Sequence, residues 1–168
     1  RHRKAYNMIV FALCLFAMEQ QMDENLLHNP TFQNNLQNWK LSPGDSIIKA
    51  AFIDDAPAAE ISVPDSVPIG FPFLWQEFPA KPGDIFQGSA EVKRPAGKDG
   101  HGAYLSLESI DAQGNRLGFT MSDSADIDGA WSLLLVRTQC PMNTSSVRML
   151  LLLHGHGTAF FRNATLIK

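Results

Sequence analysis

Cysteine is scarce in this sequence: Cys14 and Cys140 are the only two in 168 residues. Cys14 falls in an N-terminal stretch that reads as a removable signal. That leaves Cys140 alone, so a disulfide framework is excluded for the domain that follows, and its stability has to come from packing. Charge is scarce as well, at 18% with a formal net charge of -3. A nucleic-acid-binding domain needs a basic stripe or patch, and that class is excluded. Long hydrophobic runs are missing: Met8–Ala17 is too short for a comfortable membrane-spanning helix. There is no G-x-G-x-x-G, Walker loop, G-x-S-x-G or CxxC, which removes the usual nucleotide, nucleophile-elbow and dithiol signatures. No long segment with a 3.6-residue period follows residue 22, and no repeat of solenoid or propeller length is present.

Arg1, Arg3 and Lys4 precede the apolar run Met8–Ala17, and polar Glu19–Gln21 follows it. A basic region, a short apolar region and a small residue, Ala17, form a secretory signal layout. Residues 1–22 are therefore expected to be a signal peptide or N-terminal anchor, with its apolar part helical, and residues 23–168 the domain. A buried N-terminal helix is the alternative. A lipoprotein signal ending at Cys14 is disfavoured because Leu13 stands where a small residue is wanted. The expected location is secreted or cell-surface, with membrane contact only through an uncleaved N-terminal segment.

Apolar residues make up 45% of the chain, with 12 glycines and 10 prolines, the balance of a globular domain with many turns. Period-two alternation marks short strands. The clearest is Leu74–Val92, read as strand, turn, strand: two prolines and Gly83 in Pro79–Asp84 cannot continue a ladder. If these strands lie side by side as a hairpin, Trp75, Glu77, Gln87, Ser89 and Glu91 share one face, with Leu74, Gln76, Phe78 and Phe86 on the other. Ser46–Phe52, Ala58–Val63, Ala103–Ile110, Arg116–Met121 and Thr158–Lys168 read as further strands, and Leu26–Leu27 as a short edge strand. Trp131–Thr138 and Ser146–Leu153, the most apolar, are predicted to be central. Asn29–Trp39 reads as a loop pinned by Phe32 and Trp39. Pro64–Pro72, the three-glycine stretch Arg94–Gly102, acidic Ser122–Gly129 and His154–Gly157 read as loops and turns. The sum predicts an all-β antiparallel sandwich or barrel.

Several motifs have plain readings. Cys140 beside Pro141 reads as a small buried hydrophobe. His154 and His156 lack an adjacent third ligand, so they read as turn residues rather than a metal pair. Asp123, Asp126 and Asp128 match no calcium-loop spacing. Asn143-Thr-Ser145 and Asn163-Ala-Thr165 have the N-glycosylation pattern.

The order of pieces from Asn25 to Ile167 resembles the carbohydrate-binding modules of the family four, nine and twenty-two type, in the galactose-binding-like jelly-roll group. The resemblance lies in Asn25-Leu-Leu-His-Asn-Pro-Thr-Phe32 with Leu36 and Trp39. It continues in Leu74–Phe78 and Lys81–Phe86, in Leu105 and Leu107 with Asp111–Gly114, in Trp131 with Leu133, and in Gly157–Phe161 with Leu166. It implies an antiparallel jelly-roll sandwich and a glycan site on the concave face of one sheet. Family members often hold a structural calcium. Here the matching places are Gln33 and Arg162–Asn163, so Gln33 and Asn163 are left as the side-chain ligands for such an ion. An arginine there repels a cation, and Arg162 is expected to pair with Asp23 or Glu24 instead.

The candidate carbohydrate-binding residues are Trp75, Gln76, Glu77, Gln87, Glu91, Tyr104 and Glu108, with Ser106 on the same strand face as Tyr104. Gln76 replaces Trp75 if the strand phase slips by one. A sugar ring stacks its C–H face on indole or phenol, and its hydroxyls need directional amide and carboxylate partners. Each residue also has a structural reading: packing under a loop for Trp75, edge packing for Tyr104, a solvated face for each glutamate. The expectation is a secreted, non-catalytic module that binds poly- or oligosaccharide and is attached to or works beside a glycoside hydrolase. A structural or adhesive protein–protein sandwich is the alternative. Glycosidase activity in this chain would need two facing carboxyl groups.

Overall fold

The structure, a computed structural model, describes residues 24–44 and 46–168. The signal-like run and its expected helix lie outside these residues. The described strands are β1 (Lys40–Leu41), β2 (Ile47–Ile53), β3 (Ala56–Val63), β4 (Phe73–Pro79), β5 (Ile85–Ile110), β6 (Arg116–Met121), β7 (Trp131–Gln139) and β8 (Ser146–Ile167). All their pairings are antiparallel.

Two long strands organise the sandwich. The first half of β8 lies between β4 and the second half of β5, with Trp75 opposite Leu150 and Tyr104 opposite Leu152. β6 flanks β5 and β1 flanks β4, giving one layer in the order β6–β5–β8–β4–β1. The second half of β8 lies between β3 and the first half of β5, and β2 and β7 close the second layer, β7–β5–β8–β3–β2. The expected antiparallel all-β sandwich is the architecture observed.

The expected Leu74–Val92 hairpin is not formed. β4 and β5 share no ladder, and the first half of β5, which follows the connection, belongs to the other layer. The connection is an arch: Ala80 N–H donates to Ser145 O, Gly83 N–H to Cys140 O, and Lys81 N–H to the Asp84 carboxylate. Alternation gives the face of each side chain but not the partner of each strand, and a proline-rich connection of this length is free to cross between layers.

Arg94–Gly102 and His154–Gly157, expected as loop and turn, also differ. They lie within β5 and β8, where both strands pass from one layer to the other, with Gly97 opposite Gly157 and Gly102 opposite His154. Glycine is required at this corner. Gly157 has φ +115°, and a Cβ there would stand 2.4 Å from Gly97 Cα and 2.5 Å from Ala96 O. The glycines let two bent backbones touch while remaining paired.

Ser146–Leu153 is central, as expected. Trp131–Thr138 is not: β7 pairs only with β5 and forms an edge, leaving Leu133 62% exposed. Its inward Leu134 and Val136 are buried, so two of its five apolar residues serve the core. Leu26–Leu27 enters no ladder; Leu26 N–H donates to Leu166 O, and the Asn25 side chain bonds Ala164 O and Leu166 N–H.

Phe32 and Trp39 pin the amide-rich loop as expected, their rings stacked at 5.3 Å in the core. Asn29, Asn35 and Asn38 adopt positive φ, a region asparagine tolerates better than most residues. The Asn29 amide ties the loop together through the carbonyls of Asn35 and Gln37. Phe86, Phe161, Leu74, Leu105, Met149 and Leu151 fill the space between layers. Cys140 is buried there, and burial pushes its thiol above the usual range, in keeping with an inert hydrophobe.

Candidate functional site

The outer face of the β6–β5–β8–β4–β1 layer carries a cleft of about 430 Å³ that crosses the strands. Its floor is Leu150 and Leu152 on β8 with Tyr104 and Ser106 on β5; Phe119 and Met121 of β6 bound one side, and Phe71 and Phe73 the other. Tyr104, Ser106 and Glu108 share this face because the opposite residues, Ala103, Leu105 and Leu107, point into the core. Phe71 stacks on His154 at 4.2 Å, and His101 meets the edge of Tyr104 at 5.1 Å. Burial raises the Tyr104 phenol above its ordinary range, and Glu108 adds to this, so the hydroxyl stays protonated.

The acids on this face already have partners. Glu77 and Glu108 both lie opposite Arg148, one on each neighbouring strand. Arg148 Nε donates to Glu77 at 2.9 Å, and the Ser146 hydroxyl makes a short bond to the same carboxylate. Burial pushes the Glu77 carboxyl up, but Ser146 and Arg148 outweigh it and hold it below its usual range. Glu108 accepts from Arg116 at 2.9 Å, and that guanidinium also lies 4.8 Å from the Phe119 ring centre. Trp75 is flanked from neighbouring strands by Lys40, 4.4 Å from its ring centre, and by Arg148, at 4.8 Å. It borders the cleft as a half-buried spacer between cations rather than as a bare platform.

The candidate residues from the sequence divide three ways. Trp75, Glu77, Tyr104 and Glu108 come together on the cleft face. Gln76 points into the sandwich, 4% exposed, where its side-chain amide clamps both the N–H and the C=O of His28. The phase slip that would have placed it in the cleft does not occur. Gln87 and Glu91 lie on the outer face of the other layer, because β5 changes layers after Val92. Glu91 bonds Arg162 at 2.5 Å, and this guanidinium, followed by Asn163, holds its carboxyl low. The partner of Arg162 is thus Glu91 and not Glu24; Asp23 lies outside the described residues.

Gln33 and Asn163 are exposed and uncharged, and Arg162 occupies the third matching place. Calcium takes several oxygens and favours carboxylates, so this donor set does not fit the ion. Among the described residues no group of three or more His, Cys, Asp or Glu could hold a metal. His154 and His156 diverge: His154 Nδ1 accepts from His101 N–H, while His156 bonds Asp99 and Val67 O.

Sequence reading missed Phe71, Phe73, Arg116, Phe119, Met121, Leu150 and Leu152. The first two and the arginine sit at loop ends. Leu150 and Leu152 hide in the run Met149–Leu153, where inward and outward residues are equally apolar. A signal was present: a strand apolar on both faces in an antiparallel sandwich has something to cover on its outer side.

No protein-family model matches this sequence, and neither does any curated protein. Solved structures do share the fold. The chain is similar to the enzymatically active domain of bacteriophage CBA120 tailspike protein 4, at 17% identity and TM-score 0.65, over 84% of this chain and 21% of that one. It is similar to the CBM22-1–GH10 modules of Clostridium thermocellum xylanase 10B complexed with xylohexaose, at 15% identity and TM-score 0.67, over 88% and 29%. It is also similar to the module TmCBM61 in complex with β-1,4-galactotriose, at 15% identity and TM-score 0.58, over 86% and 99%. The chain spans under a third of the first two proteins and nearly all of the third. At such identities these likenesses establish the fold, a β-sandwich shared with carbohydrate-binding modules.

Proposed function

We propose that this chain is a non-catalytic carbohydrate-binding module of jelly-roll type that takes an oligo- or polysaccharide along the Tyr104–Leu150 cleft. The observation that carries this reading is the cleft itself. Phe71, Phe73, Tyr104 and Phe119, brought to it from three strands and a loop, offer apolar surface for the C–H faces of sugar rings. Xylohexaose and β-1,4-galactotriose accompany two of the similar structures. Catalysis fits poorly. Glycosidases use one carboxyl raised enough to stay protonated, and here Glu77 is held ionised by Arg148 while Glu108 is paired with Arg116. In this proposal the module works beside a glycoside hydrolase and acts outside the cell or on its surface.

Affinity electrophoresis across a polysaccharide panel tests it, with Tyr104→Ala and Phe119→Ala as cleft variants. Retardation by at least one glycan, lost in both variants, is the expected result. A second reading rests on the aliphatic floor. Leu150, Leu152 and Met121 suit an apolar protein segment as well as a sugar face. If a folded sample is retarded by no glycan, the cleft passes to that protein–protein reading.

A further inference from the structure

Ser106 is out of place by the rules that govern the rest of the sandwich. It is 3% exposed, and its Oγ is covered and without a hydrogen-bond partner. Its neighbours across the strands are Leu150 on β8 and Met121 on β6, and Tyr104 and Glu108 flank it on the same face. A buried hydroxyl without a partner loses its water and gains nothing in exchange, so the free protein would be better served by alanine. The acids on this face are spoken for: Glu77 by Arg148 and Ser146, Glu108 by Arg116. Ser106 itself lines the cleft, with Tyr104, Met121 and Leu150.

We infer that Ser106 is a specificity-determining contact, whose Oγ pairs with a hydroxyl of a neutral sugar seated at the centre of the cleft. The inference rests on the glycan reading of the cleft. A serine hydroxyl both donates and accepts, so it matches a sugar hydroxyl. The surrounding Leu150, Leu152 and Tyr104 would penalise a carboxylate or an amine brought to the same depth, which selects neutral units over uronic acids at this position. Met121, opposite Ser106 on β6, is 41% exposed, and its unbranched side chain can change rotamer to open access to Ser106 without disturbing the ladder.

The test compares the intact wild-type chain with Ser106→Ala by titration calorimetry against cellohexaose, xylohexaose, β-1,4-galactotetraose and tetragalacturonic acid, and by thermal unfolding without ligand. The alanine variant is expected to melt at or above the wild-type temperature and to bind the preferred neutral oligosaccharide about tenfold more weakly, the loss of one neutral hydrogen bond. Those opposite signs are what a merely structural serine would not produce. Equal affinity in the two proteins, a lower melting temperature for Ser106→Ala, or uronate binding as tight as neutral binding overturns the inference while leaving the glycan reading in place. Binding of tetragalacturonic acid alone overturns the inference and keeps the glycan reading, whereas wild-type protein that binds none of the four probes counts against both.

Discussion

The two outer faces of the sandwich both display tryptophan, arginine and glutamate, yet the aromatic-lined cleft lies on the β6–β5–β8–β4–β1 face. On the β7–β5–β8–β3–β2 layer, Trp131 gives its indole N–H to Asp54 at 2.7 Å, lies 3.8 Å below the Arg162 guanidinium, and has Lys93 near its rim. Asp54 also takes Lys93 at 2.7 Å, and Lys93 and Trp131 together keep its carboxyl low. Ser89 bonds Thr165, and Ser62 bonds Thr158. These polar groups are answered from within the face. On the other layer the charges are also paired, but they stand at the margins, and the middle is left to Tyr104, Leu150, Leu152 and an unanswered serine. Aromatic and acidic residues on outward strand positions are therefore a poor guide to a site. The better one is apolar surface left uncovered beside a polar group left unpaired.

This contrast can be broken outright at the corner that holds both faces. Gly157→Val forces a side chain into the Gly97 backbone at a positive φ. A loss of roughly 3 kcal/mol or more is expected in chemical denaturation, with both faces lost together. The contrast is sharpened by matched truncations. Tyr104→Ala should weaken glycan binding by roughly tenfold or more, as expected for a buried aromatic anchor, while Trp131→Ala leaves it unchanged. Equal losses on titration would deny that the faces differ. Beneath the cleft, Gln76→Leu strips His28 of both backbone partners and should cost about 1–2 kcal/mol in denaturant unfolding, with less effect on binding than Tyr104→Ala.

A smaller effect is expected from pH. The two ring nitrogens of His156 face acceptors, the Asp99 carboxylate at 3.0 Å and Val67 O at 2.9 Å, so only the imidazolium satisfies both. The Val67 carbonyl, then Asp99, raises the His156 pKa above its ordinary 6.5, and Asp65 and Lys98 complete the charges around it. A raised pKa means stabilisation that is complete below the ordinary value and lost as pH rises through the folded one. Asp99 is lowered by His156, so its share is present above 3.8 and lost in acid. Melting temperature should therefore fall as pH rises above the ordinary histidine value of 6.5, and His156→Gln should flatten that slope. The loop anchored at Val67 carries Phe71, so cleft affinity should follow the same trend. The smallest expected effect is Glu91→Gln, which removes the charge facing Arg162 on the other layer and should leave glycan affinity where it was.

Much of the architecture was legible in the residues. Alternation placed Tyr104, Ser106 and Glu108 on one face and Leu105 and Leu107 on the other, and the packing agrees. The chain does not carry pairing partners in the same way. Nothing within Leu74–Val92 tells an arch from a hairpin, so the sequence groups Gln87 and Glu91 with Trp75 although a whole sandwich lies between them. Glycine misled in Arg94–Gly102 and His154–Gly157: it signals a turn in isolation, but the same freedom serves two strands that must bend together. The cleft floor was hidden by composition, since Leu150 and Leu152 differ from Leu151 and Leu153 only in parity.

The passage of β5 and β8 through both layers leaves the domain without a seam. One layer cannot peel from the other unless the same two backbones are torn along their shared length, so unfolding is expected to be a single all-or-none event. Amide protons on either half of these strands should then exchange only when the whole molecule opens, and a ligand seated on one layer should slow exchange equally in the other.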